Sequence, residues 1–188
     1  MPHRYTKATQ EVTDLIDEVM RKHHEPLSAV GVTIQALMAY AAENDMNEKA
    51  GPALSMGGYA CNAAIRKTPL RERVMGSADA EIVFDGDNWG DRHIDEKRAI
   101  IDHELEHLTV SKKVSGEVIL DTHGRPKLGM RLHDVQLGWF SAVAKRYGEA
   151  SVEVVQAASL VQEHLDTYFP FAKVTLYPKQ ESLPNEDS

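Results

Sequence analysis

One turn of helix constrains this chain more than any other feature. Asp102-His103-Glu104-Leu105-Glu106-His107 carries His-Glu-x-x-His within a run of helical spacing, expected from about Arg92 to Val110. At roughly 100° per residue, positions i and i+4 share a face, so His103 and His107 aim their imidazoles at one space. Glu104, one position on, leans over the open side of whatever those rings hold. Ile100, His103, Glu104 and His107 fall on one arc, beside the apolar arc of Ile101, Leu105 and Leu108, while Arg98, Asp102 and Glu106 face water. An imidazole pair bordering a core is costly to bury without a partner, and a zinc ion satisfies two neutral nitrogens. A carboxylate beside an open fourth position suits a general base acting on water, which a closed structural site does not need.

Three protein ligands and a water form the usual catalytic arrangement, so a third donor is expected from another element. His133 is the favoured candidate. It stands where the alternation Leu128, Met130, Leu132 gives way to a helical period through Val135, Phe140, Val143 and Tyr147, with Asp134 suited to cap that helix. His123, in the turn Asp121-Thr122-His123-Gly124-Arg125-Pro126, is the rival, although turn chemistry explains it without metal. Asp134 is an alternative ligand, or a support for a histidine ligand. The extended motif with a third histidine six residues on is absent, because those positions hold Val110 and Lys113.

Several segments in order, namely Ala78-Asp79-Ala80-Glu81-Ile82-Val83-Phe84-Asp85, Trp89, Arg98 to Leu108, Arg131-Leu132-His133-Asp134 and Arg146-Tyr147-Gly148, resemble the putative phage metallopeptidase family. These are small zincin-type proteins distantly similar to SprT-like proteases. The resemblance runs from about Met56 to Gly148. It implies a zinc hydrolase with His103, His107 and His133 as ligands, Glu104 as base and a protein or peptide as substrate, encoded by a phage. The implied fold is α+β and zincin-like, with a small mixed sheet packed against the motif helix and further helices after it; from chain length, one domain over residues 1–177 is expected. In folds of that type the strand before the motif helix, here Ala80–Asp85, is commonly a sheet edge able to pair with an extended peptide.

Bulk properties narrow the alternatives. A hydrophobic content of 42% with 27% charged residues is that of an ordinary globular protein, and 188 residues suit one domain with a real core. No apolar run approaches membrane-spanning length, and Met1 to Lys7 lacks the apolar core of a signal peptide, so a cytoplasmic protein is expected. A single cysteine, Cys61, excludes internal disulfides and reads as a small buried residue. The formal charge of −8 opposes nucleic-acid binding, and the basic stretch Arg66 to Arg73 reads as a solvated helix start.

Along the chain, Thr6–His24 reads as a helix whose final His23 and His24 suit the negative helix end. Val30–Tyr40 fits a strand or a buried helix equally. Glu43–Gly58 is a loop, Tyr59–Arg66 a short strand, and Pro69–Met75 a helical turn. Val114–Leu120 and Pro126–Leu132 are expected to form a hairpin about His123-Gly124. Helices follow over Asp134–Tyr147 and Ser151–Leu165, then a short strand over Phe169–Tyr177 and a disordered acidic tail, 178–188. Two other functions stay in contention: a non-catalytic zinc protein that binds a partner, which a fourth protein ligand would favour, and a zinc amidase for a small substrate, which a closed pocket would favour.

Overall fold

A computed structural model describes residues 4–44, 46, 48–133, 141–150 and 152–168. The chain forms two compact units, Met1–His133 and Asp134–Ser188. The first contains β1 (Arg4–Lys7), α1 (Gln10–His23), α2 (Glu25–Ser28), β2 (Ile34–Tyr40), β3 (Ser55–Met56), β4 (Tyr59–Ala60), β5 (Ala63–Lys67) and α3 (Leu70–Val74). It continues through β6 (Ala80–Asp85), α4 (Gly86–Trp89), α5 (Ile94–Glu106), β7 (Leu108–Val110) and β8 (Leu128–Met130). The second contains α6 (Ser141–Tyr147), a 3₁₀ turn at Gly148–Ala150 and α7 (Val152–Tyr168). The architecture is α+β with a small mixed sheet. Expectations for Asp134–Phe140, Phe169–Tyr177 and the tail lie outside the described residues.

The ambiguous run Val30–Tyr40 resolves as a strand over Ile34–Tyr40, where both backbone edges find partners, after a turn at Val30-Gly31. β2 pairs antiparallel with β1 and parallel with β6, the latter in the register Ile34↔Ala80 to Ala39↔Asp85. β5 pairs antiparallel with β6, giving the strand order β1-β2-β6-β5. Alternation puts Ala80, Ile82 and Phe84 of β6 into the core, fully buried. The 3.6-residue period of α1 turns Val12, Leu15, Ile16, Val19 and Met20 inward, and α5 adds Ile101 and Leu105. Each of these larger side chains contributes roughly 1.5–3 kcal/mol on burial.

Two expected pairings are corrected. Ala80–Asp85 is a strand with the expected bounds but not a sheet edge, since β2 and β5 flank it. The open edge on that side belongs to β5. The second arm of the expected hairpin, β8, pairs with Leu108–Val110 in the register Leu108↔Met130 to Val110↔Leu128. Val114–Leu120 makes only isolated bridges, Lys112↔Val118 and Leu120↔Pro126. The ladder competes with the last turn of the motif helix, which therefore ends at Glu106 rather than continuing to Val110.

The basic stretch is also less solvated than its composition indicates. Arg73 is buried, ion-paired with Asp79 and, at 3.0 Å, with Asp121. Asp79 accepts from the Thr33 N–H and hydroxyl (both 2.9 Å) and meets Arg125 at 2.8 Å. Burial alone would raise the Asp79 pKa, but the Thr33 and Arg125 hydrogen bonds and the Arg73 charge outweigh it and hold it below the ordinary carboxylate value. A depressed folded-state pKa contributes stability that is complete above the unfolded value of about 3.9 and is lost as pH falls through the folded one. Asp79→Asn leaves Arg125 without its carboxylate and Arg73 with Asp121 alone, and is expected to cost about 3 kcal/mol at neutral pH, read from the urea midpoint. That gap should narrow as the pH is lowered past about 4. A gap independent of pH would assign the loss to packing alone.

Candidate metal centre

Helix α5 carries the first two histidines, and its start is well defined. The Glu96 carboxylate accepts the His93 N–H at 2.8 Å, and the His93 ring faces the Asp95 N–H at 3.4 Å, a reciprocal cap. Below the motif, Ile101 and Leu105 are fully buried and fix the rotation of the helix about its axis. His103 then emerges on the exposed side of α5, Glu104 lies only 6% exposed, and His107 is half-buried as the C-cap, still with helical φ and ψ of −69° and −18°.

The chain reverses after His107, and the β7–β8 ladder brings Arg131 back beside it. Arg131 donates its backbone N–H to the His107 carbonyl at 2.8 Å. Its own carbonyl lies 2.8 Å from His107 Nδ1. A carbonyl can only accept, so Nδ1 is the donor, and in the neutral ring the lone pair lies on Nε2. The Arg131 side chain pairs with Glu106, closing the same corner. Two residues on, His133 stands with its Nε2 3.1 Å from His103 Nε2. Ring centroids are 5.2 Å apart for His103–His107, 5.0 Å for His103–His133 and 4.6 Å for His107–His133. One ligand atom from each of the three lies within 4.8 Å of the others, a group able to hold a metal ion.

The electrostatics suit neutral donors. Partial burial, then the neighbouring His107 and His133 rings, hold the His103 pKa below the ordinary histidine value. Burial pushes the Glu104 carboxyl up, while His107 and the backbone N–H of Ile65 pull the other way. The group opens into a cleft of about 680 Å³, with β5 on one side, α5 as the floor and Met130–His133 opposite.

His123 is not part of this group. It is exposed in its turn, where its backbone N–H donates to Asp121 at 2.8 Å. Asp134, the other alternative, lies outside the described residues. Cys61 is half-buried rather than buried and lines the cleft. Two contributors escaped the sequence reading. His24 is buried and bonds Asp102 at 2.6 Å, tying the end of α1 to the turn that carries His103. An aspartate partner 78 residues away leaves no local signal. The Arg131 carbonyl is a backbone group and has no sequence signature at all.

The sequence pattern of a family described as putative phage metallopeptidase matches residues 3–163, a span that enters both compact units. No curated protein and no solved structure matches the chain. Among the described residues no helix is long and apolar enough to cross a membrane.

Proposed function

The chain belongs to the putative phage metallopeptidase family, and from that membership we propose that it is a phage-encoded, zinc-dependent endopeptidase of zincin-like fold. One observation carries the reading: three histidines from two elements converge beside a buried glutamate, in a cleft open enough for a peptide.

The donor set suits zinc. Two nitrogens bound at about 2.0–2.1 Å to one tetrahedral ion stand about 3.3–3.4 Å apart, near the 3.1 Å between His103 and His133. His107 offers Nε2 because Arg131 occupies Nδ1. Among the described residues no fourth His, Cys, Asp or Glu joins the group, which favours a catalytic site over a closed structural one. Bound there, zinc supplies Lewis-acid polarisation of the scissile carbonyl and an acidified water. Glu104 would take the proton from such a water and hand it to the leaving amine, a role that its burial suits. The histidines hold the metal, and the Arg131 carbonyl keeps His107 in the tautomer that binds.

The substrate edge in this reading is β5. The bonds from Asp85 N–H to Asn62 and from Thr68 N–H to Asp79, both 2.9 Å, put even-numbered residues of β5 in the hydrogen-bonded pairs. Ala63, Ile65 and Lys67 therefore turn their backbone groups away from β6. The Ile65 N–H meets Glu104, so among the described residues the edge is offered by the Ala63 and Lys67 groups and the Ile65 carbonyl. Ala63 and Ile65 line the cleft. An extended peptide can add there as a further strand. We treat 1–177 as one domain in this reading.

The test combines metal content and activity. The purified protein is expected to hold about one zinc per chain and to cleave members of a mixed peptide library. Chelation should abolish cleavage and added zinc restore it. Cleavage unchanged by complete chelation would remove the metal from the mechanism. One zinc without cleavage of any peptide or phage protein would favour the non-catalytic zinc protein.

A further inference from the structure

Beside the three histidines and Glu104, much of the cleft wall is apolar, and this bears on which peptides enter it. Ala99 and Ile100 lie one helical turn before His103 and Glu104, so the floor beside the candidate metal position is apolar. Ile65 stands on the β5 side, and Met56 of β3 hangs at the mouth. Opposite them, Met130 and Leu132 project on either side of Arg131. Three of these wall residues are large and wet: Met56 is 60%, Met130 44% and Leu132 85% exposed. Two polar liners are engaged elsewhere. Asn62 accepts from Arg92 at 2.6 Å, and the Arg131 side chain pairs with Glu106.

Resting on the metallopeptidase reading, we propose that the cleft selects peptides by a large apolar side chain, such as Leu, Met or Phe, next to the cleaved bond. Ile100, Ile65, Met56, Met130 and Leu132 are the specificity-determining residues. The physical reason is a difference in desolvation. A leucine or phenylalanine side chain laid on this wall leaves water and covers exposed methionine and leucine surface at once. An aspartate or lysine in the same place loses hydration, and the charged liners it would meet, Arg131 and Glu104, are already engaged by Glu106 and the Ile65 N–H. The two methionines, unbranched and polarisable, adapt to side chains of different shape, so the selection is for apolar bulk and not for one residue type. The cleft volume of about 680 Å³ holds several residues, which leaves the rest of the peptide to be bound through the β5 edge without regard to sequence.

The experiment separates specificity from activity. Full-length, zinc-loaded Glu104→Gln serves as a non-cleaving trap, and labelled peptides of Gly and Ser carry one central Leu, Phe, Gly, Asp or Lys. Leu and Phe peptides are expected to bind at least about tenfold tighter than the Gly peptide, with Asp and Lys peptides no tighter than Gly. Adding Met56→Ser and Leu132→Ser to the trap should reduce that preference at least threefold; both side chains are mostly exposed, so folding is not at stake. In parallel, wild type acting on a mixed library should leave apolar residues beside its cuts. Equal affinity across the panel, or cuts without apolar preference, overturns the specificity proposal and leaves the metallopeptidase reading standing. An undiminished preference in the serine variant removes Met56 and Leu132 from the wall. Zinc-loaded wild type that cleaves nothing, with a trap that binds none of the peptides, sinks both.

Discussion

Glu104→Gln is expected to leave a folded, zinc-loaded protein whose peptide cleavage falls by about 10²–10⁴-fold, the usual contribution of a general base. Glutamine keeps the length and planarity of the glutamate side chain, and its amide oxygen can still face the Ile65 N–H. Removing the charge takes nothing from metal binding, because the three histidines account for the donor set near the candidate position. Stability should hold or rise slightly, since a carboxylate that is 6% exposed carries a desolvation cost that the neutral amide does not. The comparison is made on kcat/KM for one cleaved peptide, with zinc content and circular dichroism measured on the same samples. Cleavage by the glutamine variant equal to wild type would falsify the assignment of Glu104 as base. A variant that loses zinc as well would move Glu104 from base to ligand.

His133→Ala is expected to weaken zinc binding by at least about 100-fold. Loss of a partner that merely orients a ligand costs about 10–100-fold, and a ligand should cost no less. The remaining pair, His103 and His107, is held by α5 and by the Arg131 clamp whether or not residue 133 contributes. The variant should therefore fold and show the loss in competition against a chromophoric chelator. His123→Ala is the control and should bind zinc as wild type does, because that side chain stands apart in its turn. Thermal unfolding gives a second reading. Zinc at 100 times its Kd stabilises a folded protein by about 2.7 kcal/mol, and most of that increment should vanish in the alanine variant. Full zinc retention by His133→Ala would exclude His133, and Asp134 would be the next position to change.

Much of the local structure of this chain is written in its spacing. The 3.6-residue period of Ile101 and Leu105 turns one side of a helix inward and so sets where His103 and Glu104 emerge. The alternation of Ile82 and Phe84 makes Ala80–Asp85 a strand wherever it lies in the sheet. Both are decided by neighbours within two turns or a few residues, and such patterns survive in sequence. The family resemblance was legible for the same reason, as ordered segments around the motif.

Pairing was not legible, because strands of two to seven residues carry no label for their partners. Whether β6 was an edge depended on β5, and whether β8 paired with Val114–Leu120 or with Leu108–Val110 depended on how the motif helix ended. That ending was decided in turn by the ladder: the Arg131 N–H takes the His107 carbonyl, and the Arg131 carbonyl takes the His107 ring. His133 could be ranked above His123 from its place between a strand pattern and a helix pattern. Only the fold brought its ring to 3.1 Å from His103, across 30 residues of chain. The sequence determined which residues the motif turn presents on one face. The tertiary structure decided what meets them there, since contacts between distant segments, and contacts made by backbone atoms, depend on packing that no local period encodes.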